Sequence, residues 1–319
     1  MQSHLALDVG TTHTRAWLVA GDVVLAERRA AVGVRDTARY GSNVRLRAAI
    51  ADVIQAVEHE NDHAGGPILA SGMIGSSLGL CDVPHVDAPA DVHDLAAAMQ
   101  PVEADDVVER PIWIVPGVRT IEAGDARQLG DVMRGEETLC LGALARGLVK
   151  PGDTLVSIGS HWKRIAIDTN GRVAGSRSSL GGEIVDAVKS TTVIAEAVRE
   201  AWPSRMPHDA AARGADLCHR VGLPRALFEL RLEQLAGAGT PDDRLAILVG
   251  AVIGADLADW ADVPPDGRLV VAGASPVADA WAVILEKRGR HVERMATADA
   301  EHAQRAGLQQ IALRAGLLT

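Results

Sequence analysis

The amino-acid sequence predicts an α/β protein of two domains, each centred on a β-sheet with covering helices. Three observations predict it. Apolar runs of strand length alternate with longer segments of helical periodicity. Three of those strand-like runs end in short turns of glycine, hydroxyl or other small residues. At 319 residues, 47% of them hydrophobic, the chain is long enough for about two separate cores.

The first turn carries the most information. Leu5-Ala6-Leu7-Asp8-Val9 is an apolar strand with a carboxylate near its end, followed by Gly10-Thr11-Thr12-His13 and a returning strand over 14–19. Gly10 lets the backbone approach an anion, Thr11 and Thr12 supply hydroxyl and N–H donors, and Asp8 can hold a magnesium ion or its water. A plain solvated hairpin is the alternative, because Gly and Thr are ordinary turn residues.

Further along, 23–30 reads as a returning strand, 46–60 as a helix, and 67–73 and 112–116 as strands. Between the last two, Gly72-Met73-Ile74-Gly75-Ser76-Ser77-Leu78-Gly79 is either a connection or a substrate-facing loop at the carboxyl end of a strand, with Gly72 and Ser76 as candidates. A helix is expected over 136–148. The second turn follows: strand 155–158, Gly159-Ser160-His161, and a returning strand through Trp162-Lys163-Arg164. Helices are expected over 182–201, 224–236, 242–261, 277–288 and 300–317, with loops over 203–208 and 237–241. The third turn, Gly273-Ala274-Ser275, lies between the strand 269–272 and the helix 277–288.

Three such turns in this order resemble the acetate and sugar kinase, heat-shock chaperone and actin superfamily. The resemblance implies an actin-like (ribonuclease H-like) fold of two domains, 1–133 and 134–319, around a central cleft. Two hairpins would clamp the phosphates of ATP, at Gly10, Thr11 and Thr12 and at Gly159, Ser160 and His161. The third turn, Gly273, Ala274 and Ser275, would seat the adenosine.

Between the first two turns, Asp131, Arg134, Glu136 and Glu137 crowd the entrance to the helix at 136. Acidic residues there complement the helix dipole whatever the function. In a kinase, a carboxylate in this place would orient a substrate hydroxyl and accept its proton. Glu136 and Glu137 are consecutive, about 100° apart on a helix, so only one is expected to face a cleft. The string Asp131-Val132-Met133-Arg134-Gly135-Glu136-Glu137-Thr138 is similar to the Met-Arg-Gly-Glu-Glu-Thr signature of the 2-dehydro-3-deoxygalactonokinases, a sugar-acid kinase family of the same superfamily. Segments over 6–17, 71–79, 159–163, 182–183, 227–231, 250–255 and 271–275 approach that family's pattern in the same order.

The resemblance implies ATP- and Mg2+-dependent phosphorylation of a 2-keto-3-deoxy sugar acid, 2-dehydro-3-deoxy-D-galactonate to its 6-phosphate. By analogy with the Gly-Asp of glycerol-kinase-like enzymes, Glu136 is the first choice for the base, with Asp131 and Glu137 as rivals and Asp8 as magnesium ligand. Arg134 and Lys163 are the cations nearest the motifs, and either can neutralise a phosphate or grip a substrate carboxylate. The second turn departs from the family's Pro-Gly-Thr-His-Ser-Lys-Trp at Trp162 and Arg164, and the third has Ala274-Ser275-Pro276 in place of a Thr-Ser-Leu type. A non-catalytic sugar-acid sensor, or a degenerate kinase, is the competing reading.

Bulk properties exclude other classes. A net charge of −10 without clustered Lys and Arg argues against nucleic-acid binding. Cys81, Cys140 and Cys218 are odd in number and far apart, giving neither a disulfide framework nor a zinc pattern. No secretory leader or membrane span is legible, so a cytoplasmic enzyme is expected, open to homodimerisation. The first strand begins at about residue 5, with no DNA-binding segment ahead of it, which speaks against a repressor.

Overall fold

In the computed structural model, residues 3–59, 66–121, 129–273 and 276–319 are described. The chain divides into two units: Met1–Pro151 with Ile167–Ser176 and Glu301–Thr319, and Gly152–Ala166 with Arg177–Ala300.

The first unit opens with three antiparallel strands, β1 (Ser3–Val9), β2 (Thr14–Ala20) and β3 (Val23–Ala30). Helices α1 (Val34–Tyr40) and α2 (Val44–His59) follow. On α2, Leu46, Ile50, Val53, Ile54 and Val57 recur at helical spacing and pack on Leu5, Leu7 and Val9 of β1. Strand β4 (Ile68–Gly72) lies parallel to β1, which is why its Ile68-Leu69-Ala70 run is apolar on both faces. Next come β5 (Val86–Asp87), α3 (Val92–Ala97), β6 (Gln100–Ala104) and β7 (Val108–Ile114). The main sheet has the order β3-β2-β1-β4-β7-β6. A small second sheet pairs β5 with β8 (Val118–Ile121) and β9 (Leu129–Met133), and leads into α4 (Glu136–Ala145).

The second unit repeats this plan. Strands β10 (Thr154–Ile158), β11 (Trp162–Ile167) and β12 (Val173–Ser179, of which only Arg177–Ser179 belong to this unit) begin a sheet whose order is β12-β11-β10-β13-β14, with β13 (Arg268–Ala272) and β14 (His291–Met295). Here too a hairpin is joined by a parallel strand, β13 beside β10, as β4 lies beside β1. Helix α5 (Gly181–Thr191) follows β12, then α6 (His208–Val221), α7 (Leu223–Leu235), α8 (Pro241–Asp256) and, after β13, α9 (Pro276–Lys287). Trp281 of α9 is fully buried among Val156, Trp162, Leu248 and Val271. The final helix, α10 (Thr297–Arg314), contributes its larger part to the first unit.

Several elements differ from the sequence reading: α1, α3, β5, β6, β8, β9 and β12 carry no expectation there, and the helices expected over 136–148 and 242–261 end at Ala145 and Asp256. The helix expected over 182–201 ends at Thr191 and gives way to a 3-10 turn at Val193–Glu196, because Thr192 leaves the helical conformation and caps Ile194. Helix α6 was not expected. Its buried face is Ala211, Gly214, Ala215 and Cys218, which packs backbone-close against Gly250 and Gly254 of α8, so no stripe of large apolar residues marks it. Strand β14 was missed as well, as only its last residue is fully buried. Among the described residues no helix is long and apolar enough to cross a membrane.

Candidate functional site

In the first unit, the hairpin turn at Gly10 is closed by the Gly10 N–H donating to the His13 carbonyl at 2.8 Å. Its carbonyls serve the start of α1: Val34 N–H donates to Gly10 O at 3.2 Å and Arg35 N–H to Thr11 O at 2.9 Å. Gly33 is what permits this approach, since a Cβ there would lie 2.4 Å from the Thr11 oxygen. The second unit uses the same device. Gly159 N–H donates to His161 O at 3.3 Å, Glu183 N–H to Ser160 O at 3.0 Å, and a Cβ on Gly182 would lie 2.5 Å from both the Gly159 and Ser160 oxygens. Each hairpin turn therefore rests on a glycine at or beside the first turn of a helix. Burying the carbonyl side of each turn in this way suits the opposite, N–H side to an anion.

Asp8, at the end of β1, stands in an acidic neighbourhood. Desolvation pushes its pKa up to about 6; Arg15 opposes the rise, while Glu136 and Glu301 add to it. The Arg15 guanidinium is 3.9 Å from Asp8 and 3.7 Å from Glu301. Asp8 and Glu136 are brought together by two glycines in the left-handed region, Gly72 at the end of β4 and Gly135 before α4, with φ of 87° and 105°. The Asp8 Oδ1 lies 3.3 Å from where a Gly72 Cβ would be.

The two neighbouring glutamates are partitioned. Glu137 is fully buried, and both its carboxylate oxygens accept the Gly135 N–H at 2.8 Å while Thr138 Oγ1 donates to Oε1 at 3.2 Å. It caps its own helix from inside. Burial, then the charge of Glu136, pushes its pKa up to about 8. Glu136 is half-buried and belongs instead to the group that includes Asp8.

The remaining first-unit candidates lie nearby in sequence but differ in setting. Asp131 on β9 accepts the Ser176 hydroxyl at 2.6 Å. Arg134 is half-buried, its Nη2 donating to Val83 O at 2.5 Å and to Asp82 at 3.3 Å, while Nη1 is buried without an acceptor among the described residues. Ser76 is buried and donates to Met73 O at 2.7 Å, which shapes the loop after β4. Lys163, in the second unit, is buried on β11, and His161 lies 3.6 Å from Glu183. Gly273 (φ 154°) is pressed against the end of β10, where a Cβ would lie 2.6 Å from Ile158 O. Ala274 and Ser275 lie outside the described residues.

The helix expected over 300–317, α10, carries site residues that no sequence motif marks. Gln304, buried, donates to the Ser71 hydroxyl on β4 at 2.9 Å, and Glu301 faces Arg15, Arg29 and Asp8. No local pattern distinguishes these residues from the polar face of any helix; only the fold, across 233 positions, joins Gln304 to Ser71.

Two sheets of like strand order, each opened by a glycine-hydroxyl hairpin, define the actin-like class of α/β proteins. Comparison with known proteins narrows the class. The model of the 2-keto-3-deoxy-galactonokinase family matches residues 8–311. A Rhizobium meliloti (strain 1021) protein assigned as a 2-dehydro-3-deoxygalactonokinase is 32% identical over 97% of this chain and 96% of its own length. The 2-dehydro-3-deoxygalactonokinase of Escherichia coli (strain K12) is 29% identical over 85% of this chain and 86% of its own. A solved structure of a Sinorhizobium meliloti protein assigned to the same activity superposes with a TM-score of 0.78 at 28% identity, covering 97% of this chain and 95% of that one. The chain belongs to the 2-keto-3-deoxy-galactonokinase family.

Proposed function

We propose that this protein is a sugar-acid kinase that transfers the γ-phosphoryl group of ATP to a hydroxyl of 2-dehydro-3-deoxy-D-galactonate, giving the 6-phosphate. Family membership supports the reaction class. The observation that carries the chemistry is the carboxylate pair Asp8 and Glu136, gathered by Gly72 and Gly135.

Glu136 accepts the proton of the attacking hydroxyl. Its half-buried position at the first turn of α4 leaves it able to reach substrate, whereas Glu137 is committed to the Gly135 N–H. Asp8 suits a magnesium ion. The neighbouring charge of Glu136, which helps raise the Asp8 pKa, is part of what a dication relieves, and magnesium needs only one or two carboxylates beside the nucleotide's phosphates. When bound, the ion would spread the charge of the transferred group.

The remaining residues bind and position. In the turns at Gly10, Thr11 and Thr12 and at Gly159, Ser160 and His161 the glycines admit the nucleotide's phosphates and the residues after them offer N–H and side-chain donors, and the turn from Gly273 holds its adenosine. The buried Nη1 of Arg134 supports a role toward the substrate carboxylate, Lys163 is the second candidate cation, and Gly72 and Ser76 shape the loop that follows β4. This reading treats residues 1–133 as the domain of the first phosphate hairpin and the substrate loops and 134–319 as the domain of the second phosphate hairpin and the adenosine turn, and the enzyme as cytoplasmic, with homodimerisation open to light scattering. Coupled ADP release across a panel of 2-keto-3-deoxy sugar acids tests it: turnover should be highest with the galactonate-derived epimer, and ADP release indifferent to every sugar acid would refute it.

A further inference from the structure

Four residues stand directly opposite one another across the first sheet: Ser71 on β4, Asp8 on β1, Arg15 on β2 and Arg29 on β3. Residues so placed share a face of the sheet, and this row sets the Asp8 carboxylate between a hydroxyl and two cations. Like charges directly opposed, as Arg15 and Arg29 are, destabilise a strand pair, and an anion between them relieves the repulsion.

Helix α10 supplies that anion. Glu301 and Gln304, one turn apart, lie over the row: Gln304 donates to the Ser71 hydroxyl at 2.9 Å, and Glu301 Oε1 accepts from Arg29 Nη2 at 2.9 Å. Arg15 is divided between two carboxylates. Its Nη1 stands 3.9 Å from Asp8 and 3.7 Å from Glu301, within ion-pair reach of both and beyond hydrogen-bond length from either. Close packing on α4 holds the helix in this place, since a Cβ on Gly142 would lie 1.8 Å from the Ala303 oxygen and one on Gly307 2.0 Å from the Thr138 oxygen. Glu301 therefore keeps a fixed station over the row, and no role above uses it. A dication beside Asp8 repels Arg15, because like charges a few ångströms apart in a partly buried site are poorly screened. Arg15 then needs a second carboxylate within a small movement, and Glu301 is already at that distance.

We propose that Glu301 is a positioning residue for the magnesium site: it takes Arg15 over from Asp8 when the metal nucleotide binds, so that this cation neither competes for Asp8 nor is left without a counter-charge. The inference rests on Asp8 as the magnesium residue of the proposed reaction.

The test is calorimetric titration of the whole protein with a non-hydrolysable ATP analogue, in magnesium and in EDTA, the ratio of the two affinities being the gain from the metal. Glu301→Gln should lose about fivefold of that gain, the scale of one partly exposed ion pair, while binding the analogue in EDTA within about twofold of wild type. Glu301→Asp should recover most of the loss. In an Arg15→Gln background, where no cation has to be moved, Glu301→Gln should change the gain by about twofold or less. A Glu301 that merely holds α10 through Arg29 would act alike in both backgrounds, so an equal loss in the two, or an unchanged gain in Glu301→Gln, would overturn the proposal. A gain that survives Asp8→Asn would overturn the magnesium reading of Asp8 and this inference with it. A gain lost in Asp8→Asn but intact in Glu301→Gln overturns the role of Glu301 alone. Should Glu301→Gln fail to fold, crystals of the wild-type protein with the magnesium complex of the analogue decide: Arg15 hydrogen-bonded to Glu301 supports the role, and Arg15 still paired with Asp8 refutes it.

Discussion

Gly72 and Gly135 meet backbone to backbone: a Cβ on Gly135 would stand 3.1 Å from the Gly72 Cα, and both residues hold positive φ. This contact sets the end of β4 against the start of α4, and with them Asp8 against Glu136. Gly135→Ala must strain the left-handed turn and push Gly72 away at once. We expect a loss of roughly 1–3 kcal/mol of stability together with a fall in turnover larger than the loss of folded protein explains. Thermal unfolding and kcat on the same preparation check this, and a variant normal in both would show that the contact is dispensable.

Asp8→Asn separates chemistry from stability. Desolvation, with help from Glu136 and Glu301, disfavours the Asp8 charge in the folded state, so removing that charge should leave the melting temperature unchanged or slightly raised. Turnover should fall strongly, and rising magnesium should not restore it. Wild-type turnover at saturating magnesium would remove Asp8 from the mechanism.

Glu137 gives the fold a pH dependence whose sign follows from its raised pKa. The folded state holds this proton up to about pH 8, whereas an unfolded glutamate releases it near 4.5. Its contribution is therefore fully present below pH 4.5 and is lost as pH rises toward 8, with a slope of at most ~1.4 kcal/mol per pH unit. Asp8 acts in the same direction between pH 3.8 and about 6. Urea unfolding from pH 5 to 8.5 should show Glu137→Gln to be flatter than wild type. A parallel fall in both proteins would assign the dependence elsewhere.

The packing of α6 on α8 gives a prediction free of charge. A Cβ on Gly250 would fall 1.8 Å from the Ala211 carbonyl oxygen, so even Gly250→Ala must part the helices. The expected cost is on the order of 1–3 kcal/mol, read as a drop in melting temperature, with Gly254→Ala milder because its nearest contact, the Ala215 oxygen, is 2.7 Å away.

That helix pair also shows why the sequence was legible in some places and silent in others. The strands leading into Gly10, Gly159 and Gly273 stood out because a buried parallel or hairpin strand needs an unbroken apolar run and a tight turn needs small residues; both requirements are local. Helix α6 buries alanine and glycine, which carry no apolar period, and β5 is two residues long. The acidic string 131–137 could be recognised, and the helical angle between Glu136 and Glu137 indicated that one would turn away from a cleft. Which one depends on the Gly135 N–H reaching Glu137, a detail of cap geometry. The involvement of Glu301 and Gln304 was beyond local reading altogether, because their partners lie on β1, β2, β3 and β4.

The central claim is that Glu136 takes the proton from the substrate hydroxyl, and turnover of Glu136→Gln tests it most directly, measured alongside Asp131→Asn and Glu137→Gln with the affinities for ATP and sugar acid. The account predicts that Glu136→Gln still binds both substrates but loses roughly 10²–10⁴-fold in kcat. It predicts that Glu137→Gln acts mainly on stability, and that Asp131→Asn, which keeps an acceptor for Ser176, acts mainly on affinity. Glu136→Gln within a few-fold of wild type, with transfer abolished in either of the other two, would contradict it.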